Sequence, residues 1–179
     1  MLSSWNEALM MEFCLYIAEE VRSKSGHQML APVLDITLDP RWGRSEETMG
    51  EDPCLVSRLG VTILKASQGN KEILDKEPVA ATLKHFGVHG QPEGSSNVGS
   101  TFVDKRTLHT VFFPPFKACV MEAEAMSCQD ESNYVECSEI VDDFVKNEGN
   151  ILPLDKSKIK NWRLLDPIAT NVFWEGIWI

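Results

Sequence analysis

Apolar residues first recur at helical spacing, with Leu9, Met10, Phe13, Ile17, Ala18 and Val21 on one stripe. Ser4 and Glu7 precede it at the spacing of a capping box, and Gly26 is placed to close the helix. A short apolar run follows over residues 29–36, with Pro32 near its start and polar turn residues from Thr37 onward, which predicts a buried strand. Asp52 and Pro53 then supply an N-cap and a first-turn proline ahead of Leu55, Val56, Leu59, Ile63 and Leu64. Gly69 stands just past the end, so a second helix is expected. Residues 79–83 form another apolar run of small and β-branched side chains, ending in Lys84, His85 and Phe86, and predict a second buried strand. A loop, GVHGQPEGSSNVGS, leads to a third helical pattern over residues 106–122, which Pro114 and Pro115 must bend or restart.

Near-continuous apolar strands alternating with helices argue for βαβ units on a parallel sheet. In such folds the residues that bind and react sit at the carboxyl ends of the strands, here the polar stretches after Ile36 and after Leu83. The pattern changes after about Ser127. CQDESNYVECSEIVDDF is acidic, shows no clean period and does not read as a further strand with its helix. No internal repeat and no low-complexity tract is present.

A chain of 179 residues suits one domain of ordinary size and is too short for two full ones. Hydrophobic residues at 43% and charged residues at 25% predict a packed core. The net charge of -10, from 27 acidic against 17 basic side chains without a basic cluster, argues against nucleic acid and membrane as partners; a neutral substrate such as a sugar is compatible. Cys14, Cys54, Cys119, Cys128 and Cys137 are odd in number and lack CxxC or zinc-finger spacing, so scattered free thiols are expected rather than a disulfide scaffold. MLSSWNEALMMEF lacks the pattern of a signal peptide, and no stretch reaches the roughly 18 apolar residues that span a bilayer. The compartment stays open.

Two constellations carry chemistry. Asp39, Arg41, Trp42, Arg44, Glu46 and Glu47 bring an aromatic ring, two guanidinium groups and several carboxylates to one strand end. Arginine holds a hydroxyl or carboxylate with a rigid fork of donors, and tryptophan offers an apolar face to a pyranose ring. Lys84 and His85 stand between a buried strand and a glycine-rich loop, where both could donate hydrogen bonds to hydroxyls. His85 and His89 are spaced for a metal on a helix, but Gly87 and Gly90 argue against a helix, so no metal and no cofactor is expected. GQPEGSS has neither the lysine nor the spacing of a phosphate loop, and no GxSxG elbow is present.

APVLDITLDPRWGRSEETMGEDPCLVSRLG, VAATLKHFGVHGQPEGSSN and RTLHTVFFPPFKACV, in that order, resemble the N-terminal barrel domain of family 3 glycoside hydrolases. Members are chiefly β-glucosidases and β-xylosidases, and the likeness runs over roughly residues 5–127. It implies that Arg44, Lys84 and His85 grip the sugar of the first subsite, with Glu47 supporting the arginine, and that the ligand is a small-molecule or oligosaccharide β-glycoside. The implied fold is α/β: a partial (β/α)8, TIM-barrel-like parallel sheet with flanking helices over residues 1–127. A divergent junction over 128–145 is expected next, then a linker and the start of an α/β sandwich domain over 146–179, where KNEGNILPLDKSKIK resembles the family. A complete barrel takes about 250 residues, so this one cannot close alone. Its open edge predicts poor solubility.

Retaining hydrolysis needs two carboxyl groups about 5 to 5.5 Å apart. The family takes its nucleophile from an aspartate in a motif like SDW or SDY, and neither occurs here. No residue is therefore assigned as catalytic, and hydrolysis by this chain alone is not expected. The implied function is hydrolysis of terminal non-reducing β-D-glucosyl or β-D-xylosyl residues, with the grip present and the nucleophile segment absent. The other reading is an inactive truncated fragment, or a gene-model artefact, that keeps part of a carbohydrate site. Asp130, Glu131 and Glu136 would have to replace the nucleophile; a solvated acidic linker is the plainer explanation.

Overall fold

A computed structural model describes residues 4–69, 79–97 and 99–130. In chain order these form α1 (Glu7–Ser23), β1 (Gln28–Met29), α2 (Pro53–Gln68), β2 (Ala80–Phe86), α3 (Lys105–Thr107), α4 (Pro114–Ala123) and β3 (Ser127–Asp130). The strands lie in the order β1-β2-β3 and both pairings are parallel. Sequence order and spatial order coincide, and α2 packs against α1 on one side and α4 on the other. Parallel crossovers that step the same way each time are those of a barrel arc, whereas a doubly wound sheet reverses direction at a switch point.

The first helix starts at a different cap from the one expected. Asn6 accepts from the Leu9 amide at 3.1 Å, and Glu7 pairs with Arg58 at 2.7 Å instead of reaching back to Ser4. Asparagine stands two residues closer to the helix and satisfies the same orphan donors. The expected apolar stripe is buried only in part. Met10, Cys14 and Ala18 are buried, and Met10, Cys14, Phe13, Ile17 and Val21 line an apolar groove of about 930 Å³ with Met29, Leu30 and Val33. Leu9 and Phe13 each remain 42% exposed.

The strand expected over residues 29–36 is shorter and interrupted. Regular pairing covers only Gln28 and Met29, with a separate bridge between Val33 and Lys84. Pro32 has no amide hydrogen, so it breaks the ladder while its carbonyl still accepts from Lys84 at 3.1 Å. Leu34, Asp35 and Ile36 stay buried beside β2. The second helix forms as expected: Asp52 caps it, Pro53 begins it, and Gly69 ends it with φ of +79°. Strand β2 runs further than its apolar run suggested and takes in Lys84, His85 and Phe86. The third helical pattern is restarted at its prolines. A π-helical turn, Leu108–Phe112, lets the Phe113 amide donate to the Leu108 carbonyl at 2.9 Å before Pro114 opens α4.

No strand was expected after Ser127, yet β3 pairs there with β2, from Thr82 opposite Ser127 to Phe86 opposite Asp130. Parallel pairing is made by backbone groups, so a mixed stretch such as SCQD can join it without an apolar run. Of the junction expected over 128–145, residues 128–130 belong to β3, while its remainder and the second-domain start expected over 146–179 lie outside the described residues.

Strand β2 separates two environments. Ala81 and Leu83 face the core beneath the helices with Leu34, Leu59, Phe113 and Phe116. Thr82, on the other face, bonds Gln28 Nε2 at 2.7 Å and Ser127 Oγ at 2.6 Å, a polar ladder across all three strands. Cys14 and Cys119 are buried free thiols, Cys54 is exposed, and Cys137 lies outside the described residues. Burial and the neighbouring Glu122 charge push the Cys119 thiol up to about 12, so it is an inert core residue.

At Gly60, α2 lies close against Leu34 and Cys119. A Cβ there would stand 2.7 Å from Leu34 Cδ2 and 2.9 Å from Cys119 Sγ. Helix propensity alone would favour alanine by about 1 kcal/mol. Overpacking costs about 1–3 kcal/mol and is expected to win. Gly60→Ala should therefore lower the urea midpoint of unfolding without changing the slope; a raised midpoint would show that the core yields.

Candidate functional site

The site is built where the segment after Leu34 and the end of β2 come together. The Leu34 amide donates to the Lys84 carbonyl at 2.6 Å, which sets Asp35 level with His85. His85 Nδ1 lies 2.8 Å from Asp35 Oδ2, and the same oxygen accepts from the His85 amide at 3.2 Å. Both side chains are buried, at 2% and 0% exposure. The Lys84–His85 peptide is cis.

Arg44 reaches this cluster from the loop that follows Ile36. Its Nε and Nη2 donate to the two oxygens of Glu47 at 2.8 and 2.9 Å, a fork-on-fork pair. Its Nη2 also lies 3.2 Å from His85 Nε2, and its Nη1 lies 3.0 Å from His89 Nε2. The Arg44 hydrogen bonds hold the Glu47 carboxyl below its ordinary value near 4.5, and the charges of Arg44 and Lys84 add to that. Lys84 is half-buried within β2. All four residues singled out from the sequence, Arg44, Glu47, Lys84 and His85, thus meet at one strand end.

Three neighbours have roles the sequence did not disclose. Asp35 stands inside the apolar run over residues 29–36, and only its place opposite His85 makes it part of the site. His89 stacks at a 53° tilt on His85, with ring centroids 4.6 Å apart, although no helix joins them. Each Nε2 faces the Arg44 guanidinium, and no group of three or more His, Cys, Asp or Glu side chains is placed to hold a metal ion among the described residues. Trp42 is the third. A sugar-stacking face was expected, but the ring is only 2% exposed and packs edge-on against His89 at 5.4 Å, so it supports that imidazole from below.

The structure also separates the two arginines of RWGR. Arg41 is 80% exposed and turns outward to Asp39 at 2.7 Å, while Arg44 turns in. Asp39 accepts from Arg41 and from Ser95 Oγ at 2.5 Å, tying the loop after Ile36 to the loop after Phe86. Those bonds, Arg41's first, hold the Asp39 carboxyl far below the usual carboxylate range. Gly90 completes the contact between the loops. A Cβ there would stand 2.6 Å from the Ile36 carbonyl oxygen, so glycine is what lets the backbone carrying His89 approach. Asp130 ends β3 at the same edge of the sheet, opposite Phe86. Glu131 and Glu136 lie outside the described residues.

Comparison with known proteins matches this architecture. A β-xylosidase of Formosa agariphila is 38% identical over 142 residues, 75% of this chain but 19% of its own length. A periplasmic β-glucosidase of Salmonella typhimurium is 40% identical over 88 residues, 49% of this chain and 11% of its own. The chain thus spans less than a fifth of the length of these curated relatives. Among solved structures, a β-glucosidase of saponin metabolism from intestinal bacteria superposes with a TM-score of 0.70 at 31% identity, covering 75% of this chain and 18% of that one. A Listeria innocua β-glucosidase in complex with isofagomine gives 0.68 at 30% identity, covering 74% and 18%. Residues 1–131 match the model for the glycosyl hydrolase family 3 N-terminal domain. With that match over a parallel βαβ arc, the chain belongs to glycosyl hydrolase family 3 and carries a part of its N-terminal domain.

Proposed function

We propose that the chain supplies the sugar-holding side of a β-glycosidase pocket for a terminal non-reducing β-D-glucosyl or β-D-xylosyl residue. In this reading Arg44 and Lys84 contact the sugar; His85, expected to do the same, is buried and holds Arg44 from the inner side, as Glu47 does from the outer. The observation that carries it is the convergence of Arg44, Glu47, His85 and His89 at the carboxyl end of parallel strands, beside the ammonium-bearing Lys84. A neutral polyol has many hydroxyls and no charge, so a concentrated set of fixed, charged donors and acceptors binds it well. The relatives named β-xylosidase and β-glucosidase agree with both sugars.

Holding and cutting are separate steps here. The sequence given has no SDW or SDY, and it spans 19% of the length of the β-xylosidase relative. Retaining hydrolysis needs a nucleophile beside a general acid/base, and no residue of the sequence given is assigned that part.

Isofagomine titrated calorimetrically into the purified chain should bind, and Arg44→Ala should weaken it about tenfold to a hundredfold, the worth of a charged hydrogen bond. Equal affinity in the two proteins would remove Arg44 from the pocket. An aryl β-glucoside should show no turnover; turnover abolished by Arg44→Ala would establish cutting by the chain itself.

Acid should loosen the grip through Glu47. Its folded-state carboxyl is held low, so the ion pair stabilises the fold above about pH 4.5, and the contribution is lost as the pH falls below that. The side chain is 39% exposed, so the effect is modest and screened by salt. Melting wild type and Glu47→Gln across pH 3 to 7, roughly the carboxylate range, should show a gap at neutral pH that closes in acid. A gap that persists at the acid end would assign it to packing.

A further inference from the structure

His85 was expected to donate a hydrogen bond to a sugar hydroxyl, and the geometry around it says otherwise. A guanidinium has five N–H donors and no acceptor. The 3.2 Å contact between Arg44 Nη2 and His85 Nε2 therefore runs one way, with the imidazole nitrogen accepting. A neutral ring has a single proton, which then sits on Nδ1 and donates to Asp35 Oδ2 at 2.8 Å. A doubly protonated ring would aim an N–H at another N–H and set two cations together.

We infer that Asp35 is a positioning residue: it fixes His85 as the Nδ1-protonated tautomer, so that Nε2 acts as an acceptor that holds Arg44 in the pocket. This deepens the sugar-holding reading and rests on it for its functional meaning. Asp35 is well placed for the task. It is buried, it clamps both the ring and the backbone amide of His85 through one oxygen, and it stands on a segment locked to β2 by the bond from Leu34 to Lys84. Its other oxygen, Oδ1, is buried and has no hydrogen-bond partner among the described residues. Burying a half-used carboxylate is costly, and an amide would cost less if an acceptor were all the fold required. A carboxylate differs from an amide in one respect that matters: both of its oxygens only accept, so neither orientation can present a hydrogen to Nδ1. An asparagine at the same place can turn its NH2 toward Nδ1 and drive the ring proton to Nε2, against Arg44.

The tautomer is read directly from long-range 1H–15N correlation spectra of the full chain labelled at histidine, at neutral pH and without sugar. His27→Gln, His89→Gln and His109→Gln variants identify the His85 signals. The wild type should show a bare, pyridine-like Nε2 and a protonated Nδ1 at His85. Arg44→Ala, which leaves Asp35 in place, should keep that pattern. Asp35→Asn should move the proton wholly or partly to Nε2 and weaken isofagomine binding about tenfold. A protonated Nε2 in the wild type overturns the proposal. So does a tautomer that changes in Arg44→Ala, or one that survives in a folded Asp35→Asn. If Asp35→Asn fails to fold, the wild-type and Arg44→Ala spectra decide the matter. If isofagomine fails to bind the wild type, the sugar-holding reading falls, while the assignment of the tautomer to Asp35 stands or falls on the spectra alone.

Discussion

Strand β2 is bonded on both edges and buried on its inner face, and that double constraint sets the position of nearly everything else. Its pairing with Gln28 and Met29 on one side and Ser127 to Asp130 on the other fixes three chain segments in parallel register. Its core face, with Ala81 and Leu83, is the floor on which α2 and α4 pack, and Phe86 stacks on Phe113 at 5.4 Å to continue that floor to the strand end. Because the register also places Lys84 and His85 at the carboxyl edge, the same pairing that makes the core delivers the site. A strand shift of one residue would exchange the two faces and lose both.

The site itself is a chain of charge that runs inward from solvent. Glu47, partly exposed, grips Arg44; Arg44 touches both imidazoles; His85 ends on Asp35 in the interior. Each member restricts the next, so the guanidinium at the centre is oriented before any ligand arrives. Preorganisation of this kind lowers the cost of binding, because the donors are not ordered by the ligand. The outer loops are held together by a second, separate set of bonds, Arg41 and Ser95 on Asp39, and by the close approach at Gly90. Trp42 fills the space under His89.

The arc has a different character at its β1 side. There the apolar groove between α1 and residues 29–33 is open, and Leu30 is 57% exposed. A closed barrel would cover such a surface with a neighbouring strand and helix. The α1 stripe contributes to that groove through Met10, Phe13, Cys14, Ile17 and Val21, which is why part of it stays exposed.

Much of this was readable in the chain, and the limits have physical causes. Helix α2 could be drawn from Asp52, Pro53 and Gly69, because caps and helix periodicity are local and need no partner. Strand β2 and the parallel βαβ pattern followed from short apolar runs, although the run over residues 29–36 gave only an interrupted pairing, and the candidate residues Arg44, Glu47, Lys84 and His85 stood out through resemblance to a family. Tertiary structure decided what depends on residues far apart. It turned Arg41 out and Arg44 in, buried Trp42 under an imidazole, and joined His89 to His85 without a helix. It made a strand of SCQD, because backbone pairing is blind to side-chain pattern. It placed Asp35 against His85 across fifty positions of sequence, where a carboxylate can choose which nitrogen of a histidine holds the proton. A sequence specifies such a residue, but its chemistry exists only once the partner is beside it.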